Sequence, residues 1–466
     1  MLQKLKNRYI GDKEFYRMVL VIALPIMIQN GITNFVGLLD NIMVGQLGTE
    51  QMSGVAIVNQ LLNVYYVCLF GCVSGASIFA AQYYGQGNME GLQHTFRFKW
   101  ISCGIMAIAG LLVMGFGGSG LITLFLNDSS AGSVAATHEA GMRYLMVMMI
   151  GMVPYMVMQI YASTLREIGQ TFVPMVGSMV AVVLNFCINY VLIFGKFGFP
   201  KLGATGAAVG TVVSRFVEMG IMIYWTHTHK NEVRFIEGVY RTFRIPKTLI
   251  GQILRKGTPL ILNEALWSAG QAVLVQGYSM RGLDAVASLN IATTVSNLFN
   301  VVFIALGSAV SIIVGQQLGS GDLERAVETD RKLIFFSVVS CIVIGMVLFG
   351  VGGLFPQIYK TSEHVREMAA TLIRITALFM PVYAFYHASY FTLRSGGKTL
   401  ITFLFDSCYV WLVNIPVVFL LSRFSSFDII TIYFCCQSVE LVKVLIGYIL
   451  LKKRVWVNNI VSEMEA

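Results

Sequence analysis

RMVLVIALPIMIQNGITNFVGLLDNI, residues 17–42, carries one basic side chain at its start, Arg17, and one acidic side chain, Asp40, in an otherwise uncharged run. A helix needs about 20 apolar residues to cross the hydrocarbon core of a bilayer, and this run exceeds that. Eleven more of the same character follow, near 54–80, 98–118, 140–163, 173–195, 205–226, 257–280, 288–314, 333–354, 368–391, 401–421 and 428–451. None has the two-residue alternation of a membrane barrel strand, so the expected fold is an all-α integral membrane protein with twelve transmembrane helices. Composition agrees. With 56% hydrophobic and 12% charged residues and a mean hydropathy of +0.71, a water-soluble chain would leave large apolar patches exposed.

The formal charge of +9 is a topological signal, because the basic residues sit in short segments between apolar runs instead of forming a groove-reading patch. No nucleic acid is implied. With the N-terminus inside, 23 of the 33 Lys and Arg fall on the cytoplasmic side and 8 on the outer side, while Arg215 and Lys443 lie within helices. That asymmetry predicts a multi-pass protein of the plasma (inner) membrane with both termini cytoplasmic. The charged start MLQKLKNRYIGDKEFYR leads into a long apolar helix without a small-residue cleavage site, so no removed signal peptide is expected. The eight cysteines lie almost entirely inside apolar runs without CxxC or Cys/His ligand spacing, and read as packing residues.

The longest polar interval, HTHKNEVRFIEGVYRTFRIPKTLIGQILRK at 227–256, is the natural midpoint. Its two sides match at a constant offset of 234: Pro25 with Pro259, Gly48 with Gly282, Ser74 with Ser308, Gln82 with Gln316, Gly85 with Gly319, Gly87 with Gly321, Glu90 with Glu324 and Arg97 with Arg331. Further on, LREIGQT at 165–171 recurs as LRSGGKT at 393–399. The expected organisation is an N-lobe (1–226), a cytoplasmic linker (227–256) and a C-lobe (257–466). Each half has an even number of helices, so the repeat is parallel, with its axis along the membrane normal. Substrate would then bind between halves that rock to give alternating access. Pro25, Pro154, Pro259 and Pro381 recur at matching places; each removes a helical hydrogen bond and permits bending, as a hinge or as a static kink.

ALPIMIQNGITNFVGLLDNIMVGQLG at 23–48, AAQYYGQGN at 80–88, STLREIGQT at 163–171, LNFCINYVLIFG at 184–195 and GATGAAVGT at 203–211, with their echoes in the second half, resemble the multidrug and toxic compound extrusion (MATE) transporters of the multidrug/oligosaccharidyl-lipid/polysaccharide flippase superfamily. The resemblance spans nearly the whole chain. It implies two six-helix lobes, a central cavity facing alternately in and out, and antiport of small organic, often cationic, compounds against H+ or Na+, with a monomer expected and no cofactor.

Asp40 is an ionisable group within a membrane span and therefore a functional candidate, since desolvating its charge is costly. Its repeat counterpart is Leu274, so symmetry does not require it. Gln29, Thr33, Gly37 and Asp40 recur on one helical face, and similarity to the family's first-helix acid makes Asp40 the expected ion carrier of the N-lobe. The plain alternative is a solvated residue at the helix's outer end. Asn185 and Asn189 stand four residues apart, with Thr211 on the next helix. Relatives place this group in a network with the first-helix acid, and some carry aspartate where Asn189 stands. Amides that simply join helices are the other reading.

Glu264, Trp267, Gln271 and Tyr278 recur on one face of the seventh helix and combine a carboxylate with aromatic and amide groups, the materials of a cation site. Family members with a C-lobe cation site carry a seventh-helix glutamate, a few residues further from the proline, and this attaches Na+ as an alternative ion to Glu264. In place of the tenth-helix aspartate of some relatives stand Tyr383, Tyr386, His387 and Tyr390. His387 reads either as a proton participant or as a packed ring. Asp406, whose approximate counterpart is Ser178, reads either as a partner of Glu264 or, near the cytoplasmic end of its helix, as a merely hydrated carboxylate. Arg215 with Glu218 and Glu440 with Lys443 are three residues apart on single helices and read as self-neutralised structural pairs. The 24 methionines and abundant aromatics suit a deformable, weakly selective pocket.

TLRSGGKT at 392–399 imitates the end of a phosphate-binding loop, GxxxxGK(S/T), but Thr392 stands in place of the first glycine and the repeat partner lacks the lysine. It reads as a cytoplasmic turn, so transport should be driven by an ion gradient. No metal motif or nucleophile constellation suggests an enzyme, and no filter-like loop suggests a channel. The competing expectation is a flippase for a lipid-linked or amphiphilic substrate, which would favour a cationic cavity.

Overall fold

The computed structural model describes residues 8–126 and 134–465; the first seven residues of the charged N-terminal segment, the stretch 127–133 and residue 466 lie outside it. The described chain is helical, with no strand among the described residues. Its long helices, in order, are α1 (Lys13–Gly45), α2 (Thr49–Gln86), α3 (Met89–Phe125), α4 (Val134–Glu167), α5 (Phe172–Phe194), α6 (Ala204–Thr228), α7 (Lys247–Ser279), α8 (Leu283–Gly319), α9 (Leu323–Val351), α10 (Glu363–Ser395), α11 (Thr399–Phe424) and α12 (Ile429–Lys452). Eleven of them are long and apolar enough to cross a membrane. The twelfth, α7, falls short in hydropathy because Asn263, Glu264 and Gln271 interrupt its apolar run. A helix of 33 residues keeps its own backbone bonded, so it tolerates such polar groups inside a multi-pass protein where other side chains meet them.

The repeat is visible in the backbone. Gly48 and Gly282 adopt φ of +101° and +102°, and Gly87 and Gly321 adopt +79° and +83°, a region that excludes most side chains. One residue beyond each of the second pair, Asn88 and Asp322 cap α3 and α9 by accepting from the backbone N–H of Gly91 and Arg325.

By internal contacts the chain separates into two compact units: Ile28–Ala80 with Asn88–Gly251, and Met1–Met27 with Ala81–Gly87 and Gln252–Ala466. In the first, α5 packs on α6, α6 on α4 and α4 on α3. Its polar connection is shorter than the interval read from sequence. α6 runs to Thr228 and α7 begins at Lys247, because TLIGQILRK carries Leu249 and Ile253 to buried positions one helical turn apart. Between them Val233, Phe235, Ile236 and Val239 are buried, and Arg97 donates to the Val239 carbonyl at 2.8 Å.

In the second unit α10 is central, packed by α8, α9 and α12. One core joins Val19, Ile22 and Ile26 of α1 to Leu306, Val310 and Ile313 of α8; another gathers Leu372, Met380 and Tyr383 of α10 with Val418 and Ile432. The end of α2 meets the end of α8 reciprocally: a Cβ on Gly85 would lie 1.8 Å from the Gln316 carbonyl oxygen, and one on Gly319 would lie 1.9 Å from that of Gln82. Residues 82 and 85 are the repeat mates of 316 and 319, so this exchange of contacts is what a two-fold relation produces. Gln82 also binds the end of α10 and the tail, donating to the carbonyls of Ser395 and Asn458 and accepting from the Ile460 N–H.

α11 departs from regular geometry. Leu404–Cys408 and Val410–Asn414 are π-helical, a form common at functional sites. Pro416 lies just beyond; it has no N–H to continue the ladder, and its ring crowds the carbonyl four residues earlier, which the widened turns accommodate.

Candidate functional site

In the first unit the expected polar residues converge. Asn189 Nδ2 donates to Asp40 Oδ1 at 2.9 Å and to Asn185 Oδ1 at 3.1 Å, and Asn185 Nδ2 lies 3.2 Å from Thr211 Oγ1. With its amide turned over, Asn185 reaches Asp40 Oδ1 at 3.2 Å while accepting from Thr211. Asp40 makes no ion pair among the described residues. The Asn189 Oδ1 atom is buried without a hydrogen-bond partner among the described residues and faces Gly210, where an added Cβ would lie 2.1 Å away. Thr33, Gly37 and Asp40 of α1 line a cavity of about 170 Å³ together with Asn185, Thr211, Ser178, Arg215 and Glu218. Gln29 joins the same surface by donating to Ser178 Oγ at 2.7 Å.

Arg215 and Glu218 take part in more than an isolated pair. Their ion pair measures 3.0 Å, but Glu218 Oε1 also accepts from Ser178 Oγ at 2.5 Å, and the Arg215 guanidinium lies over the Tyr155 ring at 4.8 Å. The result is a chain running Gln29, Ser178, Glu218, Arg215 along one side of the Asp40 cavity.

The second unit rearranges the expected C-lobe site. Asp406 makes no hydrogen bond or ion pair with Glu264. Its carboxylate accepts from Asn263 Nδ2 at 3.1 Å and lies 3.3 Å from Lys443 Nζ, which is 3.4 Å from Glu440. Neighbours on a helix point about 100° apart, so α7 turns Asn263 toward Asp406 and Glu264 aside. Asn263 Oδ1 also accepts from the Ser407 hydroxyl at 2.7 Å, and Asn263 lies 3.4 Å from Tyr390. The α7 face is not uniform: Trp267 is 42% exposed, whereas Tyr278 is buried against Tyr433, and Gln271 makes no hydrogen bond among the described residues. His387 is packed between Phe303 and Tyr386, 4.7 Å from each ring, and Tyr383 donates to Gln437 at 2.6 Å.

The Glu440–Lys443 pair is likewise tied into a chain, running Asn263, Asp406, Lys443, Glu440. The two chains correspond: Asn263 follows Gln29 at offset 234, Asp406 follows Ser178 at 228, and Glu440 and Lys443 follow Arg215 and Glu218 at 225. The same helix positions carry amide, acceptor and ion pair in both units, with the order of the charges reversed. Asn263 is the residue that the sequence reading missed, and Arg215, Glu218, Glu440 and Lys443 are those it took for self-contained structural pairs. The available signal was that both intrahelical pairs occupy one repeat position.

A family model described as MatE matches residues 25–191 and 259–420, each stretch opening at the proline that begins its repeat. The chain belongs to the MatE family. This MatE chain is 26% identical over 417 residues to the probable multidrug resistance protein NorM of Thermotoga maritima, covering 88% of this chain and 86% of that one. It is 24% identical over 439 residues to the probable multidrug resistance protein YoeA of Bacillus subtilis, covering 93% and 92%. Among solved structures, an outward-facing multidrug resistance MATE transporter of the MOP superfamily superposes with a TM-score of 0.84 at 16% identity, covering 98% of this chain and 97% of that one. A MOP superfamily transporter from Pyrococcus furiosus, described as having a binding pocket of reversed polarity, superposes at 0.82 with 16% identity, covering 99% and 98%. At these identities the structures establish a shared fold, and the MatE chain is a multi-pass membrane protein with that two-lobe repeat.

Proposed function

We propose that this MatE chain is a secondary active multidrug efflux transporter that exports organic, often cationic, compounds in exchange for H+ or Na+ by alternating access between lobes 1–226 and 257–466. Its relatives carry multidrug resistance names, and the observation that carries the reading is Asp40 in a cavity, held by an amide and free of any ion pair among the described residues. Such a carboxylate can hand its one negative charge to a proton, a sodium ion or an organic cation, and these compete for it. Competition for one charge is the minimal requirement for exchange.

The flippase reading favours a cationic cavity, and Arg215 does line this one. Glu218 neutralises it at 3.0 Å, and Asp40 leaves the cavity acidic. The transporter reading is therefore tested by efflux of ethidium from energised, efflux-deficient cells making the wild-type chain, Asp40→Asn or Glu264→Gln at equal levels. Uncoupler-sensitive efflux by the wild type that Asp40→Asn abolishes is the expected result. Retention of several different organic cations by wild-type cells would overturn the reading.

A further inference from the structure

Lys443 is the anomaly of the second unit: its side chain is 2% exposed in the middle of an apolar helix. Its ammonium lies 3.3 Å from Asp406 Oδ1 and 3.4 Å from Glu440 Oε2, and faces two rings, Tyr386 at 4.7 Å and Tyr409 at 5.2 Å. Two carboxylates and two π faces, contributed by α10, α11 and α12, make the donor set that recognises an alkylammonium. A hard metal cation prefers a shell filled with oxygens, which the rings do not supply. The surroundings are not saturated. Asn414 donates to Glu440 Oε1 at 2.5 Å, yet Asn414 Oδ1 is buried with no hydrogen-bond partner among the described residues, and Glu440 Oε2 has there only its 3.4 Å approach to Lys443. Two carboxylates also outnumber the single ammonium. At the corresponding place on α6 stands Glu218, so nothing in the repeat demands a lysine here.

We propose that Asp406, Glu440, Tyr386 and Tyr409 form an ammonium-binding site whose occupant in this conformation is the chain's own Lys443, and that the site takes a primary alkylammonium ion when the lysine is withdrawn. The tether makes the occupant intramolecular, so a free amine competes against a high effective concentration and the wild-type site reads as closed to it. Lys443 would be a built-in plug whose departure opens a second cation site, separate from the Asp40 cavity.

The test is binding, not transport, so its outcome is independent of whether the chain exports drugs. Full-length Lys443→Ala protein lacks the part of the side chain that n-propylammonium replaces. Thermal unfolding of the purified protein in detergent is followed against n-propylammonium chloride, with sodium chloride and tetramethylammonium chloride at equal ionic strength. We expect a saturable rise in melting temperature with n-propylammonium alone, absent in wild type and weakened at least tenfold in midpoint concentration by adding Asp406→Asn. If Lys443→Ala does not survive extraction in sodium chloride, the reading becomes the fraction recovered monodisperse, which n-propylammonium should restore. Equal behaviour in n-propylammonium and sodium chloride, or an equal response in wild type, overturns the proposal.

Discussion

Lys99 is fully buried in α3, with both carboxylate oxygens of Glu167 at 2.7 Å and the hydroxyls of Ser163 and Thr164 at 3.1 Å. Removing one partner of such a pair strands a charge without water, at a cost of about 3–5 kcal/mol. Lys99→Met and Glu167→Gln should each lower the thermal stability of the purified protein substantially, and the double variant should regain much of the loss. If the two losses simply add, the pair is not coupled as the geometry indicates. Gly210 makes a separate prediction at the Asp40 cavity. A Cβ there overlaps Asn189 Oδ1, so Gly210→Ala should displace the amide that holds Asp40. Most ethidium efflux should be lost at unchanged expression, and full efflux in this variant would disconnect Asn189 from function.

Helix ends and crossings are where the repeat is enforced. Gly85 and Gly319 approach backbone atoms, which cannot rotate aside, so alanine at either must push α2 and α8 apart. Each substitution should lower the melting temperature by a similar amount, whereas the caps Asn88 and Asp322 should cost about 1 kcal/mol each when replaced by alanine. Unequal effects of Gly85→Ala and Gly319→Ala would show that the reciprocal contact is not the source. Much at this scale was legible in sequence. The apolar runs marked the helices, and the glycine pairs marked the repeat, which the structure shows as turns at Gly48, Gly87, Gly282 and Gly321 that both halves build alike. The π-helical turns of α11 were not, since Pro416 signals a disturbed ladder but not which form it takes. The matched polar chains are less legible, because loop lengths differ between halves and the register slips from 234 to 228 to 225, so that the two charge pairs do not align at the offsets that match the earlier helices. Intrahelical charge pairs looked satisfied along their own helix, and only packing shows that Ser178 and Asp406 bind them from the next one.

Over the whole chain, charge placement predicts orientation. A reporter fused after the C-terminal residue, or inserted between His229 and Pro246, should report the cytoplasm, and one inserted between Lys196 and Lys201 the outer side; the reverse pattern would remove the basis for assigning the lobes' inner and outer ends. Two units built on one plan but differing in charge order also suit a division of labour, with Asp40 exposed to a cavity in one and Lys443 enclosed by acids in the other. On the proposed reading, Asp40 is the group through which an ion gradient drives export. The most direct test is uptake of a radiolabelled organic cation into proteoliposomes containing the purified protein and no nucleotide, with an imposed pH or sodium gradient, for wild type and Asp40→Asn. Gradient-driven accumulation by wild type, reduced to the level of empty liposomes by Asp40→Asn, is the predicted result; accumulation that Asp40→Asn leaves intact would contradict the account.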